Sequence, residues 1–311
     1  MSVHLCVSID CECDKGPGWR TQKPLAFAGV TEGIGNRLQP LFRRFGVKPT
    51  YLLSPEVMRD GPARETLAAL AGEAELGTHL HGEFAEPGAG EPDVTRAFQC
   101  NYDRRTERQK LDSLTRLFRD CFGRAPRSFR AGRFGIGRHS LGLLQELGYA
   151  VDSSVTPHKD WRPAGAREAS FLEAPSQPYW PQLDDPERIA PAPGLLLEVP
   201  VTIRPSRLAW LPVIGRRFEP RWLRPTRGSA ARLVAVAKEE MAGARAPNVV
   251  LNCMFHNVEV VPLASPYAAD EDRANAILRK LAALLEFAGR EGIKTVGLSD
   301  VRDLFAPAGR R

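Results

Sequence analysis

The segment Ser8-Ile9-Asp10-Cys11-Glu12-Cys13-Asp14 places carboxylates at every second position, directly after an apolar, β-branched run. In an extended chain alternate side chains share a face, so Asp10, Glu12 and Asp14 are expected to converge while Cys11 and Cys13 point the other way. Carboxylates crowded together repel one another unless a cation or a proton intervenes, which suits them to metal binding or to acid/base chemistry. A second constellation, Glu75-Leu76-Gly77-Thr78-His79-Leu80-His81-Gly82-Glu83, carries two of the chain's six histidines at H-x-H spacing. In an extended strand that spacing presents both imidazoles to one side, the geometry a metal needs. His79 and Glu83 are four apart and share a face only where the chain turns helical.

Three further clusters are individually weaker. Asn252-Cys253-Met254-Phe255-His256-Asn257-Val258-Glu259 ends an apolar run in a histidine suited to general-acid work. Ser128-Phe129-Arg130-Ala131-Gly132-Arg133-Phe134-Gly135 holds Arg130, which could brace a catalytic carboxylate through a bidentate pair. Tyr149-Ala150-Val151-Asp152-Ser153-Ser154 ends another run in an acid.

The elements that must position these residues follow from periodicity. Strands are expected at 3–9, 49–53, 74–79, 128–131, 149–153, 195–203, 249–255 and 295–298, and helices at 31–45, 64–71, 105–122, 139–147, 229–241 and 270–289. Such alternation predicts a parallel α/β architecture: a single distorted (β/α)7-8 barrel, with residues 1–311 forming one domain. All five polar clusters then fall at strand ends, where β/α barrels collect their active sites. Two stretches interrupt the alternation as long loop insertions. Residues 156–194 are rich in Pro and Trp, and 204–228 hold seven Arg, two Trp and four Pro with one acid, Glu219.

The bulk composition narrows the function classes. With 43% hydrophobic and 26% charged residues, the chain has the composition of a globular protein with a full core. Its charge of +6 comes from 43 basic residues dispersed among 37 acidic ones, which gives little support to nucleic-acid binding. No run of 18 apolar residues occurs, so no membrane span is expected. The first residues lead straight into a strand-like run without a signal-peptide pattern, and the six cysteines form no C-x-x-C pair. Reduced thiols in the cytoplasm are the expectation.

Taken in order, Ser8-Ile9-Asp10-Cys11-Glu12, Gly77-Thr78-His79-Leu80-His81, Phe129-Arg130-Ala131-Gly132, Asp152-Ser153-Ser154 and Phe255-His256-Asn257 resemble the motifs of the polysaccharide deacetylase (NodB-homology) family. The resemblance covers roughly residues 3–305, and Ser265-Pro266-Tyr267 before an acidic helix start is similar to its WalW-like or polysaccharide-locus subgroup. It implies a barrel of the glycoside hydrolase/deacetylase type and a metal-dependent carbohydrate N-deacetylase, a hydrolase acting on C–N amide bonds. The ion implied is divalent: zinc first, then cobalt, nickel or manganese. Carried over residue by residue, the catalytic base falls on Asp10, the metal-binding acid on Glu12, the first metal histidine on His79, the bracing arginine on Arg130 and the general acid on His256.

The pattern also departs from the family. Its adjacent aspartates become Asp10 and Glu12, and its second histidine, four after the first, is Glu83 here, with His81 between. The third ligand is therefore His81 or Glu83; His81 is favoured because imidazole suits a zinc-like ion and H-x-H needs only an extended backbone. The implied substrate is an N-acylated sugar or glycan, N-acetyl first, free or linked to a nucleotide or a lipid. Arginines interleaved with Trp210, Leu211, Val213, Ile214, Trp222 and Leu223 suggest peripheral membrane contact through 204–228. The competing readings are a catalytically degenerate carbohydrate-binding barrel, a thiolate site at Cys11 and Cys13, and a glycoside hydrolase with paired carboxylates.

Overall fold

The computed structural model describes residues 2–90, 97–207 and 219–306. Its centre is β1 (Ser2–Cys11), in which residues 4–11 are all buried. Burial on both faces is what a central parallel strand requires, and it explains why the segment is apolar almost throughout. The strands that follow are β2 (Thr50–Leu53), β3 (Glu75–Leu80), β4 (Ser128–Ala131), β5 (Val151–Asp152), the hairpin β6 (Pro181–Gln182) and β7 (Asp185–Ile189), β8 (Leu197–Glu198), β9 (Ile203–Arg204), β10 (Arg221–Trp222), β11 (Asn248–His256) and β12 (Lys294–Thr295). The main sheet runs β11-β1-β2-β3-β4-β5-β8, with every neighbouring pair parallel and β12 added against the first half of β1.

Helices cover the outside of this sheet, each burying one apolar face. In chain order they are α1 (Gln39–Phe45), α2 (Pro55–Arg59), α3 (Gly61–Ala68), α4 (Arg104–Phe122), α5 (Ser140–Glu146), α6 (Ala230–Gly243), α7 (Glu271–Arg290) and α8 (Leu298–Phe305). In α4 the buried stripe is Leu111, Leu114 and Phe118, and in α7 it is Ile277, Leu281, Leu284 and Leu285. Their starts are fixed by side-chain caps: Asp103 accepts from the Thr106 N–H at 3.0 Å, and Asp270 from the Arg273 N–H at 2.8 Å. Gly123 stops α4 in the left-handed conformation, φ 66°.

Between β8 and β11 the sheet is joined by irregular bonds rather than a ladder. The Thr202 N–H donates to Asn252 O at 3.1 Å and the Asn252 N–H donates to Thr202 Oγ1 at 2.8 Å. The outcome is a mostly parallel, strongly curled sheet of seven to eight strands, the distorted barrel expected from the sequence.

Local corrections have identifiable causes. The strand expected at 195–203 is reduced to β8 and the start of β9, because Pro200 lacks the N–H a ladder needs. The strand expected at 295–298 ends at Thr295; Leu298 instead opens α8, where the Gly297 N–H donates to Asp300 Oδ2 at 3.0 Å. Gly132 is dictated by close approach, since a Cβ there would lie 2.6 Å from Leu80 O.

Asp152 does not join the strand-end acids. It is fully buried, in register with Glu198 on β8, and its Oδ1 accepts from Ser154 Oγ at 2.6 Å. Neither Asp152 Oδ2 nor Glu198 Oε2 has a donor among the described residues, so a shared proton is what reconciles the pair. Burial raises both pKa values, and for Glu198 the facing Asp152 charge adds to it. A carboxyl whose folded pKa is raised binds more protons folded than unfolded, so its stability contribution is present at low pH and is lost as pH rises through the folded value. Glu198→Gln supplies a permanent N–H donor in place of that proton. The variant is expected to match the wild type near pH 4 and to exceed it by on the order of 1–3 kcal/mol at pH 8. Urea titrations at the two pH values check this; an equal pH dependence for both proteins would remove the shared proton.

Candidate active site

The register of the sheet decides which side chains meet. Asp10 is paired with His256 across β1 and β11, and His79 with Arg130 across β3 and β4. Consequently Asp10, Glu12, His79, His81, Arg130 and His256, drawn from four strand ends, surround one point at the C-terminal edge of the sheet.

Glu12 Oε1 lies 3.2 Å from His79 Nε2 and 2.9 Å from His81 Nε2. The ligand-type atoms of these three buried residues all fall within 4.8 Å of one another. Their other nitrogens are engaged elsewhere: His79 Nδ1 is 2.9 Å from Arg130 O, and His81 Nδ1 is 3.2 Å from Glu83 Oε1. With the Nδ1 protons donated to those oxygens, two imidazole lone pairs and a carboxylate oxygen face each other, an arrangement that calls for a cation or an added proton. Two imidazoles and one carboxylate make a donor set that fits zinc or a related divalent ion. Against the desolvation that would lower it, Glu12 and Glu83 push the His81 pKa up to about 9. Glu83 stands behind His81, where it also accepts from Arg133 Nη2 at 3.1 Å.

Asp10 is held separately. Arg130, fully buried, donates from Nη1 to Asp10 Oδ1 at 2.7 Å. Burial would raise the Asp10 pKa, but Arg130, His79 and His256 outweigh it and hold the carboxyl below its usual range. The guanidinium is fixed in turn by Ser8 Oγ, Ser153 Oγ and Ser153 O, each at 2.8 Å. Asn252 locks both serines, accepting from Ser8 Oγ at 2.7 Å and donating to Ser153 Oγ at 2.9 Å. These supporting residues were visible as letters in the motifs, but their roles depend on neighbours far away in sequence.

On the opposite side His256 Nε2 is 3.8 Å from Asp10 Oδ2 and 3.6 Å from Glu12 Oε1. Its Nδ1 lies 2.9 Å from Glu259 Oε1, and Glu259 is itself paired with Arg224 and accepts from Thr226 Oγ1 at 2.6 Å. Burial opposes the charge on Glu259, yet Arg224 and His256 hold its pKa down to about 2. An ionised Glu259 accepting from Nδ1–H leaves Nε2 as the working nitrogen. Trp19 meets His256 edge-on at 5.0 Å and Tyr267 at 5.4 Å, forming a wall beside the imidazole.

Three residues behave differently from expectation or were not foreseen. Asp14 leaves the cluster: its oxygens accept from the Ala28 N–H at 3.0 Å and the Gly29 N–H at 2.9 Å, because the chain turns after β1 to start the wide-turned helix Gly29–Leu38. Lys15 enters the site instead, 2.9 Å from Glu12 Oε2. Glu259 was legible only as a polar residue after His256. The thiolate alternative has no support from the geometry: Cys11 is core, and burial pushes the Cys13 thiol up to about 12.

Among the described residues, the arginines of 204–228 are committed within the chain. Arg204 pairs with Glu240 at 3.2 Å, Arg207 with Glu239 at 3.1 Å, and Arg221 with Glu239 at 2.5 Å. Trp222 and Leu223 are buried, with Trp222 5.7 Å from Phe134. Trp210, Leu211, Val213, Ile214, Arg216 and Arg217, on which the membrane expectation leans, lie outside the described residues. No helix among the described residues is long and apolar enough to cross a membrane.

No family model and no curated protein matches the sequence. Solved structures do. A protein assigned as a polysaccharide deacetylase from Mycobacterium smegmatis is 18% identical with TM-score 0.55, over 97% of this chain and 90% of that one. A probable polysaccharide deacetylase from Pseudomonas aeruginosa PAO1 is 15% identical with TM-score 0.57, over 99% and 92%. Puue allantoinase is 14% identical with TM-score 0.59, again over 99% and 92%. At these identities the likeness establishes the shared barrel fold.

Proposed function

We propose that the protein is a metal-dependent carbohydrate N-deacetylase, with residues 1–311 acting as one catalytic domain that hydrolyses the amide of an N-acylated sugar or glycan. The observation that carries this reading is the convergence of Glu12, His79 and His81 on one point, flanked by an arginine-held carboxylate and a carboxylate-held histidine. The deacetylases among the structural neighbours support it. The Ser265-Pro266-Tyr267 signature supports the WalW-like or polysaccharide-locus subgroup. Six free cysteines favour a reducing compartment, hence the cytoplasm.

Glu12, His79 and His81 would hold the ion, zinc first. When bound, a divalent ion supplies Lewis acidity and lowers the pKa of its water to roughly 7 in good zinc sites. Asp10 accepts a proton from the attacking water, and Arg130 keeps that carboxylate ionised and aimed. His256 delivers a proton from Nε2 to the departing amine, with Glu259 holding the imidazole through Nδ1. N-acetyl is the proposed acyl group, on a sugar that is free or linked to a nucleotide or lipid.

Metal analysis of the purified protein, with a screen of N-acyl sugars for released carboxylic acid, tests the proposal. About one divalent ion per chain and acid release abolished by EDTA are expected. Metal binding without turnover of any N-acyl sugar would favour the degenerate binding barrel, and EDTA-insensitive turnover would overturn the metal-dependent mechanism.

A further inference from the structure

We propose that Lys15 is a positioning residue that restricts Glu12 to one ligand oxygen and weakens the hold on the ion, so that coordination positions stay open for the reaction. This rests on the metal-site reading above. Lys15 is only 5% exposed, on the turn that follows β1. Its Nζ lies 2.9 Å from Glu12 Oε2 and donates to Thr21 Oγ1 at 3.3 Å and to Cys13 Sγ at 3.7 Å. The turn itself is pinned: the Lys15 and Gly16 N–H groups donate to Ala264 O at 2.9 and 3.1 Å, and the Arg20 N–H donates to Lys15 O at 2.9 Å. The ammonium is thus built in. A buried cation this well held cannot leave its carboxylate without becoming an unpaired buried charge.

The consequence is a division of labour within one carboxylate. Oε1 faces His79 and His81, while Oε2 is committed to Lys15. A carboxylate with both oxygens free can grip a cation through both; with one oxygen held it binds through the other alone. Catalytic sites need such economy of ligands, because water and substrate must also reach the ion. The positive charge of Lys15 also opposes that of the ion across Glu12.

The surrounding charges reinforce this. Asp10, Glu83 and Glu259 are paired with Arg130, Arg133 and Arg224 respectively. Lys15 extends this one-to-one matching to the ligand carboxylate itself. The charge of an arriving ion is therefore left largely uncancelled and available to polarise a carbonyl oxygen.

Removing the ammonium should tighten metal binding, the opposite of what loss of a merely structural residue would do. Lys15→Met is expected to bind Zn²⁺ and Co²⁺ about tenfold more tightly or better in competition with a chromophoric chelator, the scale expected for removing a buried like charge. The visible absorption of its Co²⁺ form should weaken as Glu12 binds through both oxygens, and kcat should fall. Lys15→Gln, which keeps an N–H donor without the charge, should also tighten binding and guards against misfolding of the methionine variant. Equal or weaker binding in either folded variant would overturn the role of Lys15. A wild-type protein that binds no metal would instead overturn the site reading on which it rests.

Discussion

Replacement of His79 by alanine should leave the protein unable to retain a divalent ion, with affinity reduced at least about 10²-fold, since even partners behind a ligand are worth roughly 10- to 100-fold. His79 is buried, its Nδ1 is committed to Arg130 O, and its Nε2 faces Glu12 Oε1 at 3.2 Å, so alanine removes one of the three converging donors. Glu12→Ala and His81→Ala should weaken binding strongly. Glu83→Gln should weaken it less, because Glu83 acts by orienting His81 rather than by touching the ion. Binding should also strengthen as pH rises towards about 9, because the proton favoured on His81 must leave before its Nε2 can ligate. Equilibrium dialysis with metal quantification at several pH values tests all of this. Full occupancy in His81→Ala together with loss in Glu83→Ala would exchange the two assignments.

The second large effect is expected on turnover with the ion still in place. Asp10→Asn and His256→Ala should each lower kcat by about 10² to 10⁴, the usual range for a lost general base or acid. Asp10 lies against Arg130 rather than on the three ligand atoms, and His256 Nε2 stands 3.6 Å from Glu12 Oε1, so neither substitution removes a proposed ligand. Because Arg130 keeps the Asp10 pKa low, the base stays ionised over the whole working pH range and adds no acid limb near neutrality. Glu259→Gln should fall between wild type and His256→Ala, since it loosens the imidazole without deleting it. Metal-replete variants assayed for acid release decide the matter, and wild-type rates in either one would exclude that residue from the mechanism.

Neither set of side chains was equally legible in the sequence. Asp10, Glu12, His79, His81, Arg130 and His256 could be picked out because period-two spacing fixes which side chains share a strand face, and because each cluster follows an apolar run. The same local rule failed at Asp14, where the chain leaves the strand and the carboxylate closes the start of a helix. It failed differently at Asp152, whose surroundings are set by Glu198, 46 positions away on a neighbouring strand. The short β5 and β8 were overestimated because strand length depends on neighbours and on Pro200, rather than on apolar composition alone.

The alternation of strands and helices, the barrel class and the residue types able to bind metal or move protons were readable along the chain, since periodicity and side-chain chemistry are local properties. That Lys15 reaches Glu12, that Glu83 backs His81, that Glu259 and Arg224 hold His256, and that Ser8, Ser153 and Asn252 lock Arg130 emerged from the folded chain. Most of these contacts join residues from different strands or loops, fixed by sheet register and by turns after the strand ends. The pairing energy of a charge depends on which partner lies within a few ångströms, and that distance is set by the fold rather than by spacing along the chain.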